Sequence, residues 1–316
     1  MAHLKGWLPA WARPSHPIVR YERRHWHKSR GWRLVRGLLW GGALTFVFFP
    51  ALCALVFNLT ATFNSTAELI LSLGGTFTLG LLFTSTLALW FNNLTASFLA
   101  ATLIARERES QTWPLLRLTT LTSVDLLGGK LAALAYTLAG PMQLILALRA
   151  LAVLSGVVTL ALAWLASGLD GRAVREFVAL LFAEAPFSVI ELFLLEVTVL
   201  GGALLALATW LVEPVAGVVY NAAVGAAAST LARSRGTAVV LVVAAQFALG
   251  LGLYAPAQQA GLLVLAPFIE VAMTANPLIL PLLSVGLQAW LTVALWWGIV
   301  VGCFVFALRR VDTLNE

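Results

Sequence analysis

Charge is scarce in this sequence. Asp, Glu, Lys and Arg make up 11% of the 316 residues and hydrophobic residues make up 60%, whereas a typical soluble domain is about 25% charged and about 45–50% apolar. In a soluble fold, the few polar residues would have to cover a core made of all these apolar residues, and they are too few to do so. A water-soluble fold is therefore disfavoured.

Cysteine and histidine are also scarce, which limits the chemistry of the chain. Cys53 and Cys303 both lie in apolar tracts, so we interpret them as small core residues and not as a disulfide or a metal pair. All four histidines fall within the first 27 residues. His25 and His27 have cationic neighbours and no carboxylate or thiol cluster, which disfavours a metal site. A Ser-His hydrolase is disfavoured because no histidine accompanies the serines of the apolar tracts.

Long runs without charge dominate the rest of the chain. Six tracts extend for at least 18 residues with no Asp, Glu, Lys or Arg, at 37–57, 69–105, 131–148, 150–169, 236–269 and 271–308. A helix of about 20 apolar residues crosses a bilayer core. The tracts lack the alternation of barrel strands, and backbone groups in lipid must be satisfied internally. The predicted class is an all-α membrane protein with about six transmembrane helices.

The first 36 residues have the opposite composition, with nine Lys and Arg and one acid, Glu22. A basic arm can bind nucleic acid. This arm instead adjoins an apolar tract and is interleaved with tryptophans, a mixture typical of an anionic membrane surface, at Trp7, Trp11, Trp26 and Trp32. We therefore expect a lipid partner, no nucleic acid and no cleavable signal.

An interfacial elbow helix is predicted over residues 17–35. Ser15 and Pro17 form a start signal, in which a capping residue precedes a proline in the first turn. The apolar positions of this helix form a modest stripe, at Ile18, Val19, Tyr21 and Trp26.

The charged segments between the tracts predict a topology. With six spans and both termini in the cytoplasm, segments 1–36, 106–130, 233–235 and 309–316 hold 17 of the 20 Lys and Arg, which satisfies the positive-inside rule. The chain would be a multi-pass plasma-membrane protein with a basic arm (1–36), one transmembrane domain (37–308) and a cytoplasmic tail (309–316). An eight-span arrangement, in which 131–169 and 190–232 each cross twice, remains an alternative.

Two regions depart from simple crossings. As one helix, 69–105 would reach about 55 Å against a bilayer core of about 30 Å, so we expect it to extend beyond the bilayer, with Asn92 and Asn93 marking a bend or a packed polar spot. Prolines at 267, 277 and 281 favour half-helices that enter the membrane from one side. The last span is predicted near 286–308.

The most informative stretch is Glu107 to Lys130, ERESQTWPLLRLTTLTSVDLLGGK. Its characteristic residues are Glu107, Arg108, Glu109, Thr112, Leu116, Thr119, Leu121, Asp125, Leu126, Gly129 and Lys130. This order resembles, without a gap, the cytoplasmic loop between the second and third spans of ABC-2-type transporter permeases, E-R-E-x-G-T-x-x-x-L-x-x-T-P-L-S-x-x-E-I-x-x-G-K. The departures are Gln111 for glycine, Thr120 for proline and Thr122 for serine.

Two further stretches carry a weaker likeness to the same family. HPIVRYERRHWHKSR is similar to the N-P-x-x-x-R-E-x-R opening before the first span, with His16 in place of Asn. The stretches Tyr220–Gly225 and Ser229–Arg233 are similar to the end of the fourth span. A phosphate-binding loop at Gly129-Lys130 is disfavoured, because Val124 and Leu131 occupy the positions that need glycine and Ser or Thr.

The resemblance implies the permease subunit of an ATP-driven ABC exporter with an unknown substrate. It implies two partners, a second permease chain, identical or related, and a separate ATPase subunit that binds ATP and Mg. This chain itself would be no enzyme and would hold no cofactor or metal. The residues expected to couple to the ATPase are Glu107, Arg108, Glu109, Thr112, Trp113, Leu116, Gly129 and Lys130.

The coupling residues are expected to face outward. Glu107, Arg108 and Glu109 lie where the second helix leaves the bilayer, so we expect them to be solvated and available to a partner's charges. Trp113 and Leu116 are expected to lie on lipid headgroups or in a cleft of the partner.

Charges inside apolar segments are costly and are functional candidates by default. Arg149, Glu196 and Glu213 are candidates for a translocation path, whereas Glu191 and Glu270 are better explained as hydrated residues at the outer interface. These three path candidates also leave open an ion- or proton-coupled secondary transporter, although no duplicated halves are evident. A non-transporting membrane scaffold is the third possibility.

Overall fold

The computed structural model describes residues 9–28, 37, 66–113, 121–166, 189–249, 251–252 and 279–313. Every regular element in these ranges is helical. After a 3-10 turn at Ala10–Ala12, the helices are α1 (Pro17–Lys28), α2 (Thr66–Glu109), α3 (Ser123–Ala166), α4 (Val189–Leu231), α5 (Arg235–Leu249) and α6 (Ile279–Thr313).

Four of these helices are long and apolar enough to cross a bilayer: α2, α3, α4 and α6. They contain 44, 44, 43 and 35 residues, which at 1.5 Å per residue gives about 50–66 Å, more than a bilayer core of about 30 Å. The prediction of an all-α chain with membrane-length helices is confirmed. α5, with 15 residues, spans only about 22 Å.

α3 and α4 are each one continuous helix. α3 runs through Arg149 without interruption, and α4 runs through Pro214. The eight-span alternative, which splits both segments, is therefore wrong, because a helix that turns back must first break. Asn92 and Asn93 also lie within unbroken helix, and Asn92 is fully buried.

The helix starts agree with the sequence in α1 and differ in α6. α1 begins at Pro17, as predicted. α6 begins at Ile279, ahead of the predicted 286, so Pro281 lies in its first turn, where a missing N–H costs no intrahelical bond. The predicted first span except residue 37, residues 29–35 of the predicted elbow, and the prolines at 267 and 277 lie outside the described residues. The count of six spans therefore stays a prediction.

α2 lies at the centre of the packing, with α3, α4 and α5 against it, while α6 packs on α4. α2 and α3 are antiparallel, because Thr78 bonds to Ser155 and Glu107 to Lys130. α2 and α4 are parallel, because Ser97 bonds to Asn221 and Arg108 to Ala232. α1 and the 3-10 turn cover the first turns of α3.

Candidate functional site

One end of the bundle brings together the segments that the sequence assigned to the cytoplasm. α2 ends there, α3 begins there, and α4 and α6 end there. A single apolar cluster joins them to α1, with Ile18, Ile104, Trp113, Leu126, Leu127, Ala226, Ala307 and Val311 as its buried members. We call this region the charged end. It contains α1 and residues from 106–113, 121–130, 233–235 and 309–313.

α2 ends at the charged end in a Schellman motif. The N–H of Thr112 donates to the carbonyl of Glu107 at 3.0 Å, and the N–H of Gln111 donates to the carbonyl of Arg108 at 3.3 Å. This motif places a left-handed residue after the helix, and Gln111 has φ 58°. Glycine is the residue that adopts this conformation without strain. The permease pattern that this stretch resembles has glycine here, and Gln111 adopts the conformation that glycine favours.

Four charged side chains meet behind this turn, and we call them the ion network: Glu22 of α1, Arg106 and Glu107 of α2, and Lys130 of α3. Lys130 Nζ lies 2.5 Å from Glu22 Oε1 and 3.2 Å from Glu107 Oε1. Arg106 Nη2 lies 2.9 Å from each of the same two oxygens. Thr112 Oγ1 donates to the other oxygen of Glu107 at 2.5 Å.

The ion network is buried but balanced. Glu22, Glu107 and Lys130 are 0%, 6% and 2% exposed. Burying charges costs several kcal/mol per ion unless each is paired and hydrogen-bonded. Here two carboxylates face two cations, so the ion network carries no net charge. The network thereby joins α1, the end of α2 and the start of α3 into one unit.

The expectation that Glu107 is solvated is wrong. Its carboxylate is covered by α1 and α3, which bring Glu22 and Lys130 to it from 85 and 23 residues away in the sequence. Sequence reasoning also missed Glu22 as a site residue. The signal was present, because a single acid among nine cations, three residues after Val19, continues the buried face of α1. Tyr21, predicted in the apolar stripe, is 61% exposed.

Gly128 and Gly129 permit the close approach that the ion network needs. A Cβ at Gly128 would lie 2.8 Å from the ring of Trp11, and one at Gly129 would lie 3.2 Å from the side chain of Ile18. The two glycines therefore let the N-terminal turn and α1 pack directly on α3. Lys130, the next residue, then reaches Glu22. The Gly-Lys pair of the motif has a packing role here.

Arg108 and Glu109 tie α2 to the turn between α4 and α5. Arg108 Nη1 donates to the carbonyl of Ala232 at 2.8 Å and to that of Thr230 at 3.3 Å, satisfying acceptors that a helix end leaves free. Glu109 Oε2 accepts from the backbone N–H of Arg235 at 3.1 Å and lies 3.2 Å from its Nε. Arg108 is half-buried, so it is only partly solvated, and its Nη1 is engaged within the chain. Glu109, with a side chain 47% exposed, is solvated as expected.

Trp113 does not face outward either. It is 7% exposed and packs in the apolar cluster of the charged end, so the expectation that it lies on headgroups or in a partner's cleft is wrong. The reason is that the Schellman turn directs the chain back over α1 and α3. Leu116 lies in 114–120, outside the described residues.

The structure brings two of the three path candidates together. Arg149 Nη2 of α3 lies 2.8 Å from Glu213 Oε2 of α4. Arg149 is 1% exposed, whereas the Glu213 side chain is 37% exposed. Glu196 belongs to α4, but its side chain, like that of Glu191, lies outside the described part of the structure.

A seam of small and polar residues joins α2 and α4. On α4 these residues recur every fourth position, at Gly217, Asn221, Gly225 and Ser229, which places them on one helix face. A Cβ at Gly225 would lie 2.5 Å from the carbonyl of Ser97. Such small residues let helix backbones approach closely in membranes. The sequence resemblance covered part of this face without revealing its packing.

Hydrogen bonds cross the same seam. Ser229 Oγ accepts from the N–H of Ile104 at 2.8 Å and of Ala105 at 3.0 Å. Ser97 Oγ donates to Asn221 Oδ1 at 2.8 Å, and Gln246 Nε2 of α5 donates to the same oxygen at 2.8 Å. Sequence reasoning missed Ser97 and Gln246. The four-residue spacing on α4 would have identified that face but not its partners.

Within the described residues, no group of three or more His, Cys, Asp or Glu side chains is placed to hold a metal ion. The acids of the charged end are instead engaged with cations, backbone groups or hydroxyls.

No protein-family model matches this chain, and no curated protein and no solved structure matches it either.

Proposed function

We propose that this chain is the permease subunit of an ATP-driven ABC exporter of the ABC-2 type, powered by a separate ATPase subunit. The observation that carries the proposal is the ion network, which joins α1, the end of α2 and the start of α3. These are the elements that the motif resemblance assigns to ATPase coupling. Gln111 supports the resemblance independently, because its left-handed φ of 58° is the conformation that the family's glycine favours.

The physical argument concerns rigidity. A push from a cytoplasmic partner moves membrane helices only if the element that it touches does not yield. At the charged end, a push on the α2–α3 turn is passed to α1 by Glu22 and to α4 by the bond of Arg108 to the carbonyl of Thr230. The whole end can therefore tilt as a unit, which is one of the established routes by which a local event reaches a distant path.

In this proposal the charged end faces the cytoplasm, the chain makes six crossings of the plasma membrane, and α1 acts as the elbow helix. The positive-inside rule supports this orientation, since 17 of the 20 Lys and Arg then lie inside. A second permease chain completes the path, and ATP and Mg bind to the ATPase.

The docking surface in this proposal consists of exposed residues of the charged end and excludes Glu107. Glu109 is half-exposed, and Val124, an apolar residue at the start of α3, is 41% exposed. Replacement of Glu107 would disrupt the buried ion network, so it cannot separate docking from folding. Glu109→Lys and Val124→Lys are cleaner tests.

The experiment is affinity purification of the tagged chain from its native host. We expect an ATPase subunit to co-purify with the parent chain and to be largely lost from Glu109→Lys and Val124→Lys. Thr66→Lys is the matched control, because Thr66 is exposed at the opposite end of α2, and it should retain the ATPase. Absence of any ATPase from the parent, or equal losses in all three variants, contradicts the proposal.

The orientation has its own test. A cysteine placed at Glu109 in a cysteine-free chain should react with a membrane-impermeant maleimide only after the cells are permeabilised. Labelling of intact cells would place the charged end outside and would refute ATPase coupling through it.

One observation favours a second candidate, an ion- or proton-coupled secondary transporter. Arg149 and Glu213 form an ion pair between two membrane-length helices, and such pairs occur in proton and ion relays. Proton-dependent uptake by the purified chain in liposomes, with no ATPase present, would select this alternative.

A further inference from the structure

Arg149 is a buried cation in the middle of an apolar helix. It separates two charge-free tracts of α3 and is 1% exposed. A buried charge in such a position costs free energy, so it is expected to have a structural or functional role. The residues that surround it on α4 indicate this role.

α4 lacks a backbone N–H donor at Pro214, close to Arg149. The helix continues through Pro214, and proline has no N–H, so the carbonyl of Trp210, four residues earlier, loses its α-helical partner. Within lipid, a carbonyl freed in this way is satisfied by a neighbouring helix or side chain. Without such a partner the helix would be weakened at this point.

Arg149 supplies the missing donor. Its Nη1 donates to the carbonyl oxygen of Trp210, and its Nη2 donates to Glu213 Oε2 at 2.8 Å. The guanidinium carbon also lies 4.6 Å from the centre of the Trp210 ring, within the range of a cation–π contact. A planar guanidinium with several fixed donors can contact the carbonyl, the carboxylate and the ring at the same time, which a lysine ammonium cannot.

We propose that Arg149 fixes the angle of α4 at Pro214. It replaces the N–H that Pro214 lacks and, together with Glu213, holds the segments of α4 before and after Pro214 at one fixed angle. This role differs from lining a translocation path and does not depend on ATP coupling. Loss of the contacts of Arg149 with Trp210 and Glu213 would let α4 bend where it passes α3.

The test measures the angle of α4 through a distance. Spin labels at Leu204→Cys and Leu231→Cys, both exposed and on opposite sides of Pro214, would be about 40 Å apart, in a chain with Cys53 and Cys303 replaced. Double electron–electron resonance on this parent in lipid nanodiscs should give one narrow distance distribution. Arg149→Met should broaden it.

Pro214→Ala provides the decisive rescue, because alanine restores the backbone N–H and removes the need for the arginine. The distribution of Arg149→Met/Pro214→Ala should return to the narrow parent form. The melting temperature should fall by about 5 °C in Arg149→Met, and by less than half of that when the same change is made in Pro214→Ala. Pro141→Ala, at the proline in the interior of α3, is the control and should not rescue Arg149→Met.

Three results would overturn the proposal: an unchanged distribution in Arg149→Met, no narrowing by Pro214→Ala, or equal narrowing by Pro141→Ala. If Arg149→Met yields no folded protein, the readout becomes the recovery of folded protein by Pro214→Ala. Failure to recover folded protein counts against the proposed role of Arg149. Arg149→Gln, which keeps an N–H donor, should broaden the distribution less than Arg149→Met.

Discussion

Replacement of Lys130 by methionine tests whether the ion network holds the charged end together. Lys130 is 2% exposed and contacts both Glu22 and Glu107. Methionine has a similar length and no charge, so it leaves two buried carboxylates facing only Arg106. Removal of one partner from a buried ion pair typically costs about 3–5 kcal/mol. We expect a loss of this size in the free energy of unfolding.

A second substitution separates the charge effect from the loss of packing. Glu22→Gln in the Lys130→Met background restores electrical neutrality, because Arg106 and Glu107 then form a single pair. We expect this double variant to recover more than half of the lost stability, since a neutral buried set avoids the uncompensated charge. The comparison is a double-mutant cycle between positions 22 and 130.

The assay is reversible unfolding of the purified chain in mixed micelles, followed by circular dichroism as the fraction of SDS rises. Glu109→Gln is the control, because it breaks the half-exposed pair with Arg235, and exposed pairs contribute about 0–1 kcal/mol. If Lys130→Met costs no more than Glu109→Gln, or if Glu22→Gln recovers nothing, the ion network does not stabilise the charged end and the reasoning fails.

Two further predictions concern backbone conformation and helix packing. Gln111→Gly should stabilise the chain by about 1 kcal/mol, because φ at this position is 58° and glycine adopts this conformation without strain. Ser110→Gly, one residue earlier, is the control and should not stabilise the chain. Thermal melts of the two variants measure the difference. Gly225→Val should lower the free energy of unfolding by about 3 kcal/mol, since even a Cβ there lies 2.5 Å from the Ser97 carbonyl oxygen and overpacking forces backbone shifts. Gly302→Val, where a Cβ meets nothing within 4 Å, is the control, and equal losses in both glycine variants would contradict the close α2–α4 contact.

The sequence was informative about everything that depends on local composition. Hydropathy predicted the helical membrane class and the unusual length of α2, and Pro17 marked the start of α1. Charge counting selected the segments that share the charged end. These succeed because the cost of a charge in lipid and the length of a bilayer crossing are set by residues close together in the chain.

Solvent exposure at the charged end could not be predicted in the same way. Glu107 and Trp113 look like surface residues in a short loop, yet both are buried. Their burial depends on α1, which packs on the start of α3 because Gly128 and Gly129 leave room for it. An exposed residue and a covered one can have the same local sequence.

The sequence by itself determined the kind of molecule and the positions of most of its described helices, because lipid imposes the same length and polarity on any crossing segment. Only the tertiary structure decided which charges are paired. Glu22 meets Lys130 across 108 residues, and Arg149 meets Trp210 across 61. Such pairs depend on how helices pack side by side, and neither periodicity nor hydropathy along one helix encodes the identity of its neighbour.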